Sequence, residues 1–117
     1  IDARFGGEWA PGQVVGPGEL AVRVLAPSWI PVDTVSLYEN DTLVATEDCS
    51  GLAPTWCRAT FALEPAADAA YVVVAAATSR PITAVWPGSY AWAATSAVLV
   101  DADNNGWTAP KPPLIVE

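Results

Sequence analysis

Apolar and polar residues alternate along much of this chain in short runs, and glycine or proline ends most of them. Leu20, Val22 and Val24 fall on one side of an extended segment, Ala21, Arg23 and Leu25 on the other. Arg23 marks that second side as the wetter one. Thr34–Glu39 repeats the pattern, with Val35 and Leu37 inward. Asn40-Asp41 tolerates positive φ and makes a two-residue turn, so Thr42–Thr46 returns as the hairpin partner. Trp56–Leu63 alternates again, and Tyr71–Ala77 is apolar on both faces, as a central strand is. Gln13–Val15 reads as a short edge piece and Tyr90–Val100 as a long last strand with small residues at its middle. Pro27 and Pro31 break the chain because proline lacks a ladder donor, and Trp86-Pro87-Gly88 is a turn. Glu64–Ala70 is the one helical candidate, with Pro65 suited to a first turn, and it is too short for more than that turn. The pattern predicts an all-β fold: a single Ig-like or fibronectin-like antiparallel β-sandwich of about seven strands.

Composition narrows the function. The length of 117 residues suits one domain spanning 1–117, with its core over about 13–110. The first residue, Ile1, follows neither an initiator Met nor a signal peptide, which points to a domain excised from a larger protein. Net charge is −8, and the five cations are scattered in sequence as Arg4, Arg23, Arg58, Arg80 and Lys111. Nucleic acid and anionic membrane surfaces are therefore poor partners. No aliphatic run approaches the roughly 20 residues that span a bilayer, which argues against membrane insertion.

The chain has no histidine. That absence excludes a Ser-His-Asp triad, a Cys-His pair and histidine-ligated zinc. No serine has a base to activate it. The acids Glu47-Asp48 and Glu39/Asp41 read as solvated turn residues rather than a glycosidase pair, so no catalytic residues are expected. Cys49 and Cys57 lack the further ligands of a zinc site and the spacing of a redox motif. They read as a disulfide closing the short loop "CSGLAPTWC", worth roughly 2–3 kcal/mol, and a disulfide favours a secreted or periplasmic location. Two free thiols in a cytosolic domain are the other reading.

Two features carry candidate chemistry. The stretch "VDADNNGW" places oxygens at alternate positions and then a glycine. In a calcium loop, Asp101, Asp103 and Asn105 would supply side-chain oxygens and Trp107 its carbonyl. Position 12 of that loop is Pro112 where a bidentate acid belongs, so calcium would need water or a distant acid as well. Alternatively, Asp101 and Asp103 order a turn by accepting backbone N–H bonds, and Gly106 supplies positive φ. The second feature is the set of six tryptophans. Trp92, between alanines, is expected to fill a gap in the core. Trp29 and Trp86 are expected to face a partner domain. A row of exposed rings could instead stack on a glycan, which makes a carbohydrate or cell-envelope binding module the alternative function.

The segments Leu20–Ile30 and Val35–Asn40 resemble a recurring "V-x-V-x-A-P-x-W-(I/V) … V-x-L-Y-x-N-G" pattern. Thr95–Pro110 is similar to "T-N-P-I-x-V-D-x-D-G-D-G-x-(F/W)-x-(A/P)-P". Both patterns belong to the β-sandwich at the C-terminal end of bacterial PHP-type metal-dependent phosphoesterase-like proteins. The resemblance covers roughly residues 18–110. It departs at Asn40-Asp41, where the pattern has Asn-Gly, and at Asn104-Asn105, where it has Gly-Asp and one more carboxylate. With no histidine, none of the family's catalytic residues carries over. The resemblance implies a non-catalytic accessory module that packs on, or extends, the catalytic domain of an exported parent protein.

Overall fold

A computed structural model describes residues 1–26, 30, 32–49, 56–77 and 90–109. Two sheets pack face to face around one core, as the alternation predicts. The first sheet holds β1 (Asp2–Phe5), β2 (Glu8–Trp9), β4 (Gly18–Leu25) and β7 (Trp56–Leu63), in the order β2-β1-β4-β7. The second holds β3 (Val14–Val15), β5 (Thr34–Glu39), β6 (Thr42–Asp48), β8 (Ala69–Ala76) and β10 (Val98–Val100), in the order β3-β10-β8-β5-β6, with β9 (Trp92–Ala94) also on β8. Consecutive strands cross between the sheets at β2–β3, β3–β4, β4–β5, β6–β7 and β7–β8, the crossover habit of immunoglobulin-like sandwiches.

Each inner face is the apolar half of an alternation. Leu20, Val22 and Val24 of β4 face the core with Cys57, Ala59, Phe61 and Leu63 of β7. Val35 and Leu37 of β5 meet them from the other sheet with Tyr71, Val73 and Ala75 of β8 and Val98 and Val100 of β10. Strand β8 lies between β5 and the β9/β10 edge, which is why it carries apolar residues on both faces. Tyr71 is buried, and its hydroxyl donates to Glu39 Oε1 at 2.7 Å. Burial first, and then the bond to Glu39 and its charge, push the phenol well above its ordinary range.

Several boundaries differ from expectation, each for a local reason. Among the described residues ten strands stand where about seven were expected, because short edge pieces join the sheets. The core also begins earlier than residue 13, since Ala3 and Ala10 are buried in it. Strands β1 and β2 form an N-terminal hairpin around Gly6-Gly7, whose successive positive φ values of 60° and 84° glycine adopts without a Cβ penalty. The long strand expected over Tyr90–Val100 is two strands on the same edge of β8. Ala94 pairs with Val74 but Val98 pairs with Tyr71, so one extra residue bulges out between them. Thr95 spans that irregularity: its N–H donates to Val73 O at 3.0 Å and its Oγ1 accepts from Val73 N–H at 3.1 Å. Glu64–Ala70 is not a helical turn. Ala66 and Ala67 form a bend, and Ala69 and Ala70 already belong to β8. The sandwich is not wholly antiparallel, because β3 runs parallel to β10.

The Asn40-Asp41 turn forms where expected, with Asn40 at φ 56°. Asn40 also ties the hairpin to β8, donating to Ala70 O at 2.7 Å and accepting from Ala70 N–H at 3.1 Å through Oδ1. Strand β6 is the outer strand of its sheet and is exposed almost throughout. Its register shifts opposite Leu37/Tyr38, and Glu47 and Asp48 charge its end. A bulge and like charges are devices that keep an open edge from pairing with another chain.

The bridge between Cys49 and Cys57 forms, with a Cα–Cα distance of 5.7 Å. It fastens the end of β6 to the start of β7, and so one sheet to the other. No helix among the described residues is long and apolar enough to cross a membrane.

Candidate functional site

The acidic loop begins where β10 ends. Asp101 N–H donates to Val15 O at 2.8 Å, which holds the residue in the ladder and sinks its side chain to 7% exposure. Its Oδ2 accepts from Gly106 N–H at 2.7 Å and its Oδ1 from Asn105 N–H at 3.3 Å. Asp103 Oδ1 shares that Asn105 donor at 3.4 Å. Asn104 and Gly106 take φ values of 59° and 100°, which let the chain curl back over Asp101. Burial pushes the Asp101 carboxyl upward. The amide of Gly106, the neighbouring Asp103 carboxyl and the amides of Asn105 and Asn104 outweigh it and hold Asp101 below the usual carboxylate range.

A third acid joins from the β7–β8 connection. Asp68 Oδ1 accepts from Ala102 N–H at 2.8 Å and Oδ2 from Thr108 N–H at 2.7 Å. Oxygens of Asp68, Asp101 and Asp103 lie within 4.8 Å of one another, so among the described residues these three acids could together hold a cation. Asp101 and Asp103, two of the four ligands expected from sequence, belong to this carboxylate cluster. The Asn105 N–H donates to both of these acids, and the Trp107 ring, through Nε1, donates to Ala69 O at 3.1 Å. Asp68 was not anticipated from local spacing, because it stands far off in the chain, inside the stretch read as a helical turn.

The same geometry predicts a pH dependence. Asp101 has a lower pKa folded than unfolded, so its ionised form stabilises the fold above the unfolded value. That contribution disappears as pH falls through the folded value. Asp101→Asn should therefore be less stable than the parent near neutral pH, and the gap should close in acid. Urea midpoints measured from about pH 7 down to about pH 2 would show it. A gap independent of pH would assign the loss to shape rather than charge.

The second site is an apolar strip along the open edge between the sheets. Trp92, expected in the core, is 73% exposed instead. Its strand lies at the sheet's edge, where β9 offers all three residues to solvent. Beside it a cleft of about 230 Å³ is lined by Ile1, Val24, Leu25, Val32 and Ala75–Ala77. A second hollow of about 270 Å³ shares Ile1 and Ala93 with the first and reaches Trp9 and Pro11. Leu25 is 62% exposed, Trp9 50% and Tyr90 50%. Ala91 and Ala93 line the first cleft and Ala93 and Ala94 the second, so small side chains border the large ones. Trp29 and Trp86, expected at an interface, lie outside the described residues. Among the described residues, Trp9 and Trp92 are exposed tryptophans that sequence reasoning missed. Position on a two- or three-residue edge strand sets their exposure, and alternation carries no signal of it.

Compared with family models, with curated proteins and with solved structures, the chain matches none of them significantly.

Proposed function

We propose that this chain is a non-catalytic β-sandwich module that packs on a neighbouring domain through its open edge. The observation that carries the reading is the strip running from Trp9 past Ile1 to Leu25 and Trp92. Large apolar side chains exposed side by side along shallow clefts cost solvation free energy, and such patches mark interaction surfaces. The similarity of Leu20–Asn40 and Thr95–Pro110 to the C-terminal sandwich of PHP-type phosphoesterase-like proteins supports a metal-dependent phosphoesterase-like domain as the neighbour. The disulfide supports an exported parent.

The test is the double variant Leu25→Ser/Trp92→Ser. In the isolated chain both side chains are already in water, so stability should change by no more than about 0.5 kcal/mol. In the polypeptide that carries the module beside a catalytic domain, calorimetry should show one coupled unfolding transition becoming two. An unchanged transition there would sink the proposal.

The acidic loop supports a cation only in the weak sense that three carboxylates converge. Calcium at millimolar extracellular levels is the ion whose oxygen preference they match.

A further inference from the structure

Three of the five cations that look scattered in sequence come together in the fold. Arg4 of β1, Arg23 of β4 and Arg58 of β7 stand on the outer face of the first sheet, on three adjacent strands. Arg23 and Arg58 are directly opposite each other in the β4–β7 ladder, and Arg23 pairs with Asp2 on its other side. Like charges directly opposite across a ladder work against folding. One carboxylate serves two of them: Asp2 Oδ1 accepts from Arg4 Nε at 2.9 Å, and Asp2 Oδ2 lies 3.5 Å from Arg23 Nη2. Arg58 has a contact of its own as well. Arg4 and Arg23 alone leave one positive charge that Asp2 does not neutralise, in a chain whose net charge is −8. These residues line a shallow depression of about 370 Å³ whose floor includes Ala21 and Thr60.

We infer that this face is a binding site for an acidic saccharide, with Arg23 and Arg4 holding a uronate carboxylate. A guanidinium matches a planar carboxylate with two parallel N–H bonds. Asp2, set between the guanidiniums, accepts hydroxyl hydrogens, as does Thr60, and that mixture of donors and acceptors suits a sugar better than a bare anion. The small side chain of Ala21 lets a ring lie close to the sheet. Dense polyanions are repelled by the rest of the molecule. An acidic peptide would find no unpaired backbone on a sheet face, where the ladder bonds are already made. The inference goes beyond the packing proposal and does not depend on it: Arg4 is the ladder neighbour of Trp9, but no arginine lines the two clefts of the Trp9–Trp92 strip.

Calorimetric titration of the chain at low ionic strength tests it, with trigalacturonate as ligand. Maltotriose, inorganic phosphate and a hexaglutamate peptide are the comparison ligands. Trigalacturonate should bind at least about tenfold more tightly than each of them, and Arg23→Gln should weaken it about tenfold, the size of a lost charge-assisted pair. Salt at about 0.5 M should weaken it too. The melting temperature of Arg23→Gln should change little, because loss of the exposed pair with Asp2 is offset by easing the like-charge pairing with Arg58 across the ladder; a merely structural arginine would lower it. Three results would each overturn the inference: no heat with millimolar trigalacturonate, equal binding of phosphate or the peptide, or affinity unchanged in both Arg23→Gln and Arg4→Gln.

Discussion

Leu20→Ala should lower the unfolding free energy by roughly 3–4 kcal/mol, the cost of deleting a fully buried leucine and leaving a cavity. Leu20 is fully buried, and its ladder neighbours are Phe5 on one side and Phe61 on the other. Aromatic rings held by their own strands cannot collapse into the space, so the upper part of the usual range applies. Leu25 on the same strand gives the internal control. It is 62% exposed, and Leu25→Ala should change stability by no more than about 0.5 kcal/mol. Urea unfolding of the two variants compares an inward and an outward leucine five residues apart. Similar losses would mean that β4 does not present one face to the core.

Removing the bridge with Cys49→Ala/Cys57→Ala should cost roughly 2.5 kcal/mol and lower the melting temperature by roughly 10 °C. The loop between the cysteines is short, with a sequence separation of 8, so the entropy released to the unfolded chain is at the low end for disulfides. Both cysteines are buried at the core, so each alanine also gives up packing. The bridge is the one covalent tie between the sheets among the described residues. Thermal unfolding with and without reductant checks the same number without mutation. A reduced chain that melts at the oxidised temperature would contradict it.

Sequence legibility followed the range of the interaction involved. Thr34–Glu39 and Trp56–Leu63 fall on the observed strands because each alternates cleanly over its whole length. The inward assignments of Leu20, Val22, Val24, Val35 and Leu37 hold for the same reason. The β1–β2 hairpin carried a readable sign in Gly6-Gly7, but Ala3 is too small to announce a buried strand. The bulge near Thr95 was hidden because Ala93, Ala94, Ser96 and Ala97 are too alike to register a slip. Trp92 shows the limit most clearly. Its neighbours suggested a core filler, yet edge position, decided by which strands β8 accepts, places it in water. The meeting of Asp68 with Asp101 depends on how the β7–β8 connection folds over β10, and no local pattern encodes it. The three arginines meet by strand order, which is likewise a tertiary fact.

In the proposed packing, a neighbouring domain covers the strip from Trp9 to Trp92. Fluorine NMR of fluorotryptophan-labelled protein reads it directly, through the shift of each ring signal between light and heavy water. In the isolated chain, Trp9 and Trp92 should show large solvent shifts and Trp107, hydrogen-bonded to Ala69, a small one. In the polypeptide that carries the module beside its catalytic domain, the shifts of Trp9 and Trp92 should collapse while that of Trp107 stays as it was. Full solvent shifts at both Trp9 and Trp92 in that longer chain would contradict the account.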